Sequence, residues 1–545
     1  MRSHDYFGVL GFGAVGDGVT LDSDAINRAI ETAYAGGGGT VYFPAGTYLC
    51  FSIRLKSNIT LYLDSGATIL AADPTETKGA YDAAEPNEWD AYQDFGHSHW
   101  HNSLLWGEDL ANVAILGPGL IHGKGLTRWG PGPRRATQPG DSPISLDAEP
   151  ATGSKTSDTP VIASAYGQIP TGSRGFAPPG FADEPLTMEG QGNKAIALKL
   201  CRNVVLRDFS ILQGGHFALL ATGVDNLTID NLKIDTNRDG LDIDCCRNVR
   251  VSNTSVNSPN DDGICLKSSY ALGSARATEN VTITNCQVTG FDPGTFLDGA
   301  FGRTQELAPD KDRMTGRIKC GTESNGGFRN ITISNCVCER SRGLALETVD
   351  GGIIEDITIS NIAMREVTTS PLFLRLGNRA RGPEGTTIGA IRRVNISNIV
   401  AYDVDPHFAS IFAGLPDHPI EDIHISNVHI IYNGGGTAED AATEPPEQEK
   451  TYPEPSMFGK IPAYGFYIRH AKNVEIHNVE VSYEADEMRP VIVLDDVNDI
   501  RIDALKVRRS PGVPFFVLRN VRDFVARNCP SLPDTSLQHA DTQSL

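Results

Sequence analysis

Two short stretches carry the residues best suited to chemistry. "NRDGLDID" runs from Asn237 and "NDDGICLKS" from Asn260, so Asp239, Asp242, Asp261 and Asp262 fall close together with Lys267 just behind. Clustered carboxylates repel, which raises the pKa of at least one and makes it a proton donor while others stay basic. Glycoside hydrolysis needs that combination, an acid for the leaving oxygen and a base for water. Adjacent Asp oxygens are also hard ligands, so calcium is a rival use. Any one of these Asp residues taken alone is an ordinary turn former, since Asp-Gly and Asn-Asp favour turns. The chemistry therefore depends on a fold that stacks them, and Asp239 and Asp261 are 22 residues apart.

That spacing belongs to a repeat. A phrase of the form N-V-x-I-x-N recurs as "RNVVLRDFSI" from Arg202, "DNLTIDNLKI" from Asp225, "RNVRVSNTSV" from Arg247 and "ENVTITNCQV" from Glu279. It continues as "RNITISNCVC" from Arg329, "EDITISNIAM" from Glu355, "EDIHISNVHI" from Glu421 and "KNVEIHNVEV" from Lys472. Asn203 to Asn226 is 23 residues and Asn226 to Asn248 is 22. Each copy alternates apolar and polar residues, the period of a strand with one buried face. Repeats of ~20–25 residues built from strands and turns predict a solenoid. Val, Ile and Asn take the places where leucine-rich repeats need a leucine ladder, and propeller blades are longer. The fold expected is all-β, a right-handed single-stranded parallel β-helix whose stacked coils bury one continuous core. The repeated Asn is expected to bond backbone at a tight turn in each coil. On that reading Asp239 and Asp261 stack on neighbouring coils, about 5 Å apart along the backbone.

Open ends of such a stack need covering. "DSDAINRAIETAYA" from Asp22 predicts a capping helix, with Asp22 or Ser23 as N-cap, Ala25, Ile26, Ala29, Ile30 and Ala33 on one face, and the glycine run from Gly36 as its stop. The whole chain, 1–545, is expected to be one domain: an N-terminal cap over 5–50, coils over 51–530, and a C-terminal tail over 531–545. Two long insertions, 124–190 and 433–463, are expected to shape a binding face. The glycines of "GFGAVGDG" (Gly11, Gly13, Gly16) match a dinucleotide fingerprint, but no carboxylate stands about 20 residues later and no alternating βαβ pattern follows. They are expected to serve tight turns leading into the capping helix.

Composition narrows the function. The formal net charge of -21 argues against nucleic-acid binding and against an anionic membrane surface. The ten cysteines lack zinc or disulfide-scaffold spacing and read as small buried thiols. His97, His99 and His101 in "HSHWH" invite a metal reading, but no partner cluster stands at a defined distance, and aromatic loops often line sugar clefts. No run of about 18 apolar residues suits a transmembrane helix. The N-terminus has no usable signal-peptide core. The expected location is secreted or periplasmic if a signal has been removed, and cytoplasmic otherwise.

With these motifs in place the chain resembles the polygalacturonase family of glycoside hydrolases, family 28, from about residue 7 to 530. "GFGAVGDG", "AINRAIETA", "GGGTVYFPAGTY" and "SNITLYLDSGATIL" look like the family's N-terminal segment, and "NVAILGPGLIHGKG" like its early coil. "NRDGLDID" is similar to its N-T-D-G-x-D motif and "NDDGICLKS" to its D-D-C-I-A-x-K-S motif. The resemblance implies an inverting, polygalacturonase-like hydrolase of galacturonosidic bonds in pectic poly- or oligosaccharide, with no metal or cofactor, and the protein is expected to be a monomer. It implies Asp261 as general acid, Asp239 and Asp262 holding and activating water, Asn237 and Asp242 supporting the site, and Lys267 on substrate. Two departures stand out. "MTGRIKCGTESNGG" has no histidine where the family's G-H-G motif belongs. "RGLALET" puts Glu347 where the basic R-I-K motif is expected, one coil after the string Arg317-Ile318-Lys319. Arg317, Lys319, Glu323 and Arg375 complete the candidate substrate-binding set. The departures favour a rhamnogalacturonan or other pectic linkage as the alternative substrate reading, and the large insertions, by closing one end of the groove, would make the enzyme exo-acting. A calcium-dependent eliminase and a non-catalytic carbohydrate-binding β-helix are the rival classes.

Overall fold

A computed structural model describes residues 6–128, 161–164, 167–170, 188–308, 313–530 and 532–545. Most of the insertion expected over 124–190 lies outside the described residues. The repeats form the coils of a parallel β-helix, each strand pairing with its counterpart one coil away. Asp225 lies opposite Arg202, and Arg247 opposite Asp225, so the spacings of 23 and 22 read from the sequence are the coil lengths. Inward residues alternate along each strand: Val204 and Leu206, Leu227 and Ile229, Val249 and Val251, Val281 and Ile283 are all buried. Each such side chain contributes ~1.5–3 kcal/mol on burial, and the column of them forms the core.

The recurring asparagines do something other than bond backbone. Asn203, Asn226 and Asn248 adopt left-handed backbone with φ near 55°, 57° and 56°. Their side chains then bond one another, Asn226 Nδ2 donating to Asn203 Oδ1 at 3.0 Å and Asn248 Nδ2 to Asn226 Oδ1 at 3.3 Å. Because stacked coils bring identical positions together, the amide finds its copy before it finds a backbone group. A second ladder runs from Asn335 through Asn361 and Asn398 to Asn427.

Helix α1 (Ser23–Ala35) closes the N-terminal end, with Ala25, Ile26, Ala29, Ile30 and Ala33 buried and Gly36 at its C-cap. Neither expected N-cap side chain caps it. The Asp22 carboxylate turns back to accept the amides of Val15 at 2.7 Å and Gly16 at 3.0 Å, while Ser23 Oγ accepts from the Phe51 amide. Asp22 therefore ties the glycine turn to the helix. Gly16 sits at φ 71°, where a side chain is strained, and a Cβ there would crowd the Tyr48 ring at 3.0 Å. Asp22→Ala is expected to cost about 2 kcal/mol in urea denaturation, the usual loss for bonds to a charged acceptor.

The other end differs from the expected tail. Thr535–Ser544 folds back as a strand antiparallel to Phe516–Arg527. A tail would leave the last coil with an open edge, and this strand covers it. All ten cysteines are buried free thiols. Among the described residues no helix is long and apolar enough to cross a membrane.

One ladder of strands carries the candidate site. In chain order these are β1 (Lys194–Lys199), β2 (Phe217–Thr222), β3 (Asp239–Asp244), β4 (Ile264–Ser268), β5 (Ile318–Ser324), β6 (Leu344–Thr348) and β7 (Leu372–Leu376). Each pairs in parallel with the next.

Candidate active site

The carboxylates meet where β3 and β4 begin. Leu241 lies opposite Ile264, an offset of 23, and the Gly240 amide donates to the Asp262 carbonyl at 3.0 Å. Continued back by two residues, this register sets Asp239 opposite Asp262 rather than Asp261, which the 22-residue spacing had paired with it. Asp261 stands one residue earlier, in a turn fixed by the Gly316 amide on its carbonyl at 2.9 Å. Ser258 Oγ donates to that same carbonyl at 3.1 Å and also to the Arg238 carbonyl. The result gathers all three: ligand oxygens of Asp239, Asp261 and Asp262 lie within 4.8 Å of one another. Gly240 makes this approach possible, because a Cβ there would sit 2.5 Å from the Gly263 carbonyl oxygen.

The environments of the three differ. Burial first, then the nearby Asp261 and Asp242, push Asp239 well above the ordinary carboxylate range. Asp262 instead faces cations on both oxygens, Arg317 Nε at 2.7 Å and Lys319 Nζ at 3.1 Å. Paired cations favour the carboxylate form. Arg238 Nε lies 3.6 Å from Asp239 and 3.5 Å from Asp261. The cluster thus sets a carboxyl with raised proton affinity on one side against a charge-paired base on the other.

A second layer lies beneath. Asp242 is fully buried, and burial pushes it well above its usual range although Lys267 opposes the shift. Its Oδ2 is 3.2 Å from His97 Nε2 and 3.8 Å from Lys267 Nζ. Burial, reinforced by Lys267, lowers His97 to about 4, so the ring is neutral at neutral pH. Lys267 bonds Glu323 at 3.1 Å. Burial would lower the ammonium, but Asp242 and Glu323 outweigh it and hold Lys267 above its ordinary range. Glu323 is held well below its range, against burial, by Lys267 with Arg381 and Arg379.

The structure gathers Asp239, Asp261, Asp262, Asp242, Lys267, Arg317, Lys319 and Glu323 around one spot, with Asn237 buried beside Asp239. Several of the residues expected to touch substrate are instead internal. Lys267 is held between Asp242 and Glu323. Arg317 and Lys319 are 1% exposed and held by Asp262, Glu347 and Glu454, so they position Asp262. Arg375 lies elsewhere, three strands beyond β4, where β7 sets it opposite Glu347. Its guanidinium donates to the carbonyls of Gly414 and Glu447 and covers the Phe458 ring, so it anchors the insertion at 433–463.

Five contributors lie outside the candidate set: Arg238, Glu454, Arg379, Arg381 and His97. Arg238 sits inside the "NRDG" motif and was in view. Glu454 arrives from the insertion, and Arg379 and Arg381 from the loop after β7. His97 comes from helix α2 (Phe95–Ser98), 145 residues from Asp242, where no coil arithmetic links them. The other histidines of "HSHWH" point elsewhere: His99 lies 3.5 Å from Asp90 and His101 2.8 Å from Glu108. The Asp triad is the metal-like grouping among the described residues. With Arg317 and Lys319 on Asp262 and Arg238 facing the other two, these donors do not suit a hard dication.

Against known proteins, residues 6–130 match the family model described as rhamnogalacturonase A/epimerase, pectate lyase-like. Residues 186–304 match that of a right handed beta helix region. A probable polygalacturonase of Vitis vinifera is 23% identical over 446 residues, covering 77% of this chain and 73% of that protein. The chain is a distant polygalacturonase homologue. Its fold agrees with two solved structures. The family 28 exopolygalacturonase of Yersinia enterocolitica superposes with a TM-score of 0.60 at 18% identity, over 91% of this chain and 78% of that one. The hyperthermoactive exopolygalacturonase of Thermotoga maritima gives 0.53 at 21%, over 78% and 87%. The coils are therefore those of a right-handed, pectin-lyase-like parallel β-helix. In this polygalacturonase homologue Arg317 and Lys319 stand at β5, and Glu347 on β6, the next strand of the ladder, lies 3.4 Å from Lys319.

Proposed function

We propose that this polygalacturonase homologue is an inverting glycoside hydrolase of pectic poly- or oligosaccharide. The observation that carries the reading is the asymmetry of the triad: Asp239, pushed by burial well above the ordinary carboxylate range, beside a charge-paired carboxylate, Asp262, with Asp261 within 4.8 Å of both. Asp261, the most exposed of the three at 7%, protonates the leaving glycosidic oxygen. Asp262 takes a proton from water as its oxygen bonds to the anomeric carbon and the glycosidic bond breaks. Asp239 orients that water. The triad oxygens lie closer than the ~6.5–9.5 Å usual between two carboxyls in inverting enzymes. A third carboxylate relaxes that demand, since water is held by two of them while the third serves the leaving group.

A second reading rests on the cations. Arg317 and Lys319 are already matched to Asp262, Glu347 and Glu454, which leaves them no charge to spare for a uronate carboxylate. A mixed rhamnogalacturonan-type backbone, or another linkage with a neutral sugar beside Asp262, fits that better than plain polygalacturonan.

The test is a panel of polygalacturonan, rhamnogalacturonan and their oligomers, read by reducing-end release, product sizing and proton NMR of the first anomer formed. Cleavage with inverted configuration and early small products is expected, with exo action. Retained configuration would reassign one Asp as nucleophile. Unsaturated products absorbing in the ultraviolet would mean elimination, and binding without cleavage would mean an adhesin-like role.

A further inference from the structure

Arg238 has no counterpart in the N-T-D-G-x-D pattern that "NRDGLDID" otherwise follows, where threonine stands in its place. Its Nε lies 3.6 Å from Asp239 Oδ2 and 3.5 Å from Asp261 Oδ2, so one guanidinium faces both members of the pair. The side chain is 17% exposed, at the edge of the cleft rather than beneath it. Its backbone is fixed as well, because the Ser258 hydroxyl bridges the carbonyls of Arg238 and Asp261. We propose that Arg238 is a positioning residue that spaces Asp239 and Asp261 and sets how many protons the pair holds. This rests on the hydrolase reading for its catalytic consequence, but not for its titration.

The physical argument starts from repulsion. Two carboxylates within 4.8 Å resist double ionisation, and burial strengthens the resistance. A cation placed between them stabilises the doubly ionised state most, because it then faces two charges instead of one. Arg238 therefore lowers the pH at which the pair becomes doubly charged. Other charged groups surround the pair. Asp262, carrying Arg317 and Lys319, lies within 4.8 Å of both members, Asp242 and Lys267 act on Asp239, and Asp94 and His216 face Arg238, with His97 beside both of these and Lys194 and Arg128 beside His216. Burial holds His216 well below its usual range and His97 at about 4, so both rings are neutral at neutral pH. Lys267 opposes the shift of Asp239 from below, and Arg238 is the cation within ion-pair distance of both members.

The test compares wild type, Arg238→Gln and Arg238→Lys by carbon-13 NMR titration of aspartate carboxyls, alongside pH–activity profiles. In Arg238→Gln the upper titration of the pair is expected to rise by about one pH unit, a tenfold change in its constant. The alkaline limb of kcat should follow it, with kcat down about tenfold or more and KM within about threefold. Arg238→Lys should restore most of the titration shift, because it keeps the charge. An unmoved titration in Arg238→Gln, or one that Arg238→Lys fails to restore, overturns the proposal. If wild type cleaves no glycoside, the hydrolase reading fails while the carboxyl titration still decides the role of Arg238.

Discussion

Asp261→Asn is expected to lower kcat on a pectic substrate about a thousandfold, within the ~10²–10⁴ range of general acid catalysis. KM should change little. Asparagine keeps the shape and the acceptor that receives the Asp262 amide at 3.0 Å, so the turn before β4 survives and the loss reports chemistry. The sharper readout is leaving-group dependence. An aryl glycoside with an acidic phenol departs without much protonation, so Asp261→Asn should lose far less on it than on a natural linkage. Asp262→Asn should lose heavily on both, since a base is needed whatever departs. Equal losses for Asp261→Asn on the two substrates would transfer the acid's role to Asp239, the member whose proton burial most stabilises.

The repeat made much of this site legible. Coil lengths of 22 and 23 predicted the stacking, and the inward Val and Ile positions followed from alternation alone. The Asp triad followed from the same arithmetic, though the register at β3 and β4 is one residue off because the carboxylates precede the regular strand. What stayed hidden came from outside the coils. His97 and Glu454 are delivered by loops whose ends are known but whose paths are not encoded in any period. Arg317 and Lys319 were visible as charges, yet their burial follows from Glu347 and Glu454, which a linear reading cannot bring to them. Arg375 looked like another cleft cation, and its carbonyl acceptors on Gly414 and Glu447 became apparent only with the loop in place. Which positions stack is therefore predictable here, whereas roles that depend on loop paths, or on the charges met across coils as for Lys267 and Lys319, are not.

Glu454→Met is expected to cost about 3–5 kcal/mol in urea denaturation, the penalty for leaving buried charge without its partner. Glu454 receives Arg317 at 2.8 Å and 3.1 Å and Arg342 at 2.7 Å, with all three side chains at most 2% exposed. Burial would lower the Arg317 guanidinium, but Asp262, Glu454 and Glu347 together outweigh it and hold it well above its ordinary range. Removing Glu454 therefore weakens the same cation that pairs with Asp262, and kcat should fall together with stability. The two effects separate in a double variant. Glu454→Met with Arg342→Met removes charge of both signs, so stability should recover by about 2 kcal/mol or more relative to Glu454→Met. Activity should stay low, because Arg317 still lacks the carboxylate that fixed its plane against Asp262. A Glu454→Met protein losing less than about 1 kcal/mol would mean that the remaining carboxylates suffice for both guanidinium groups, and that the insertion contributes shape to the site without contributing charge.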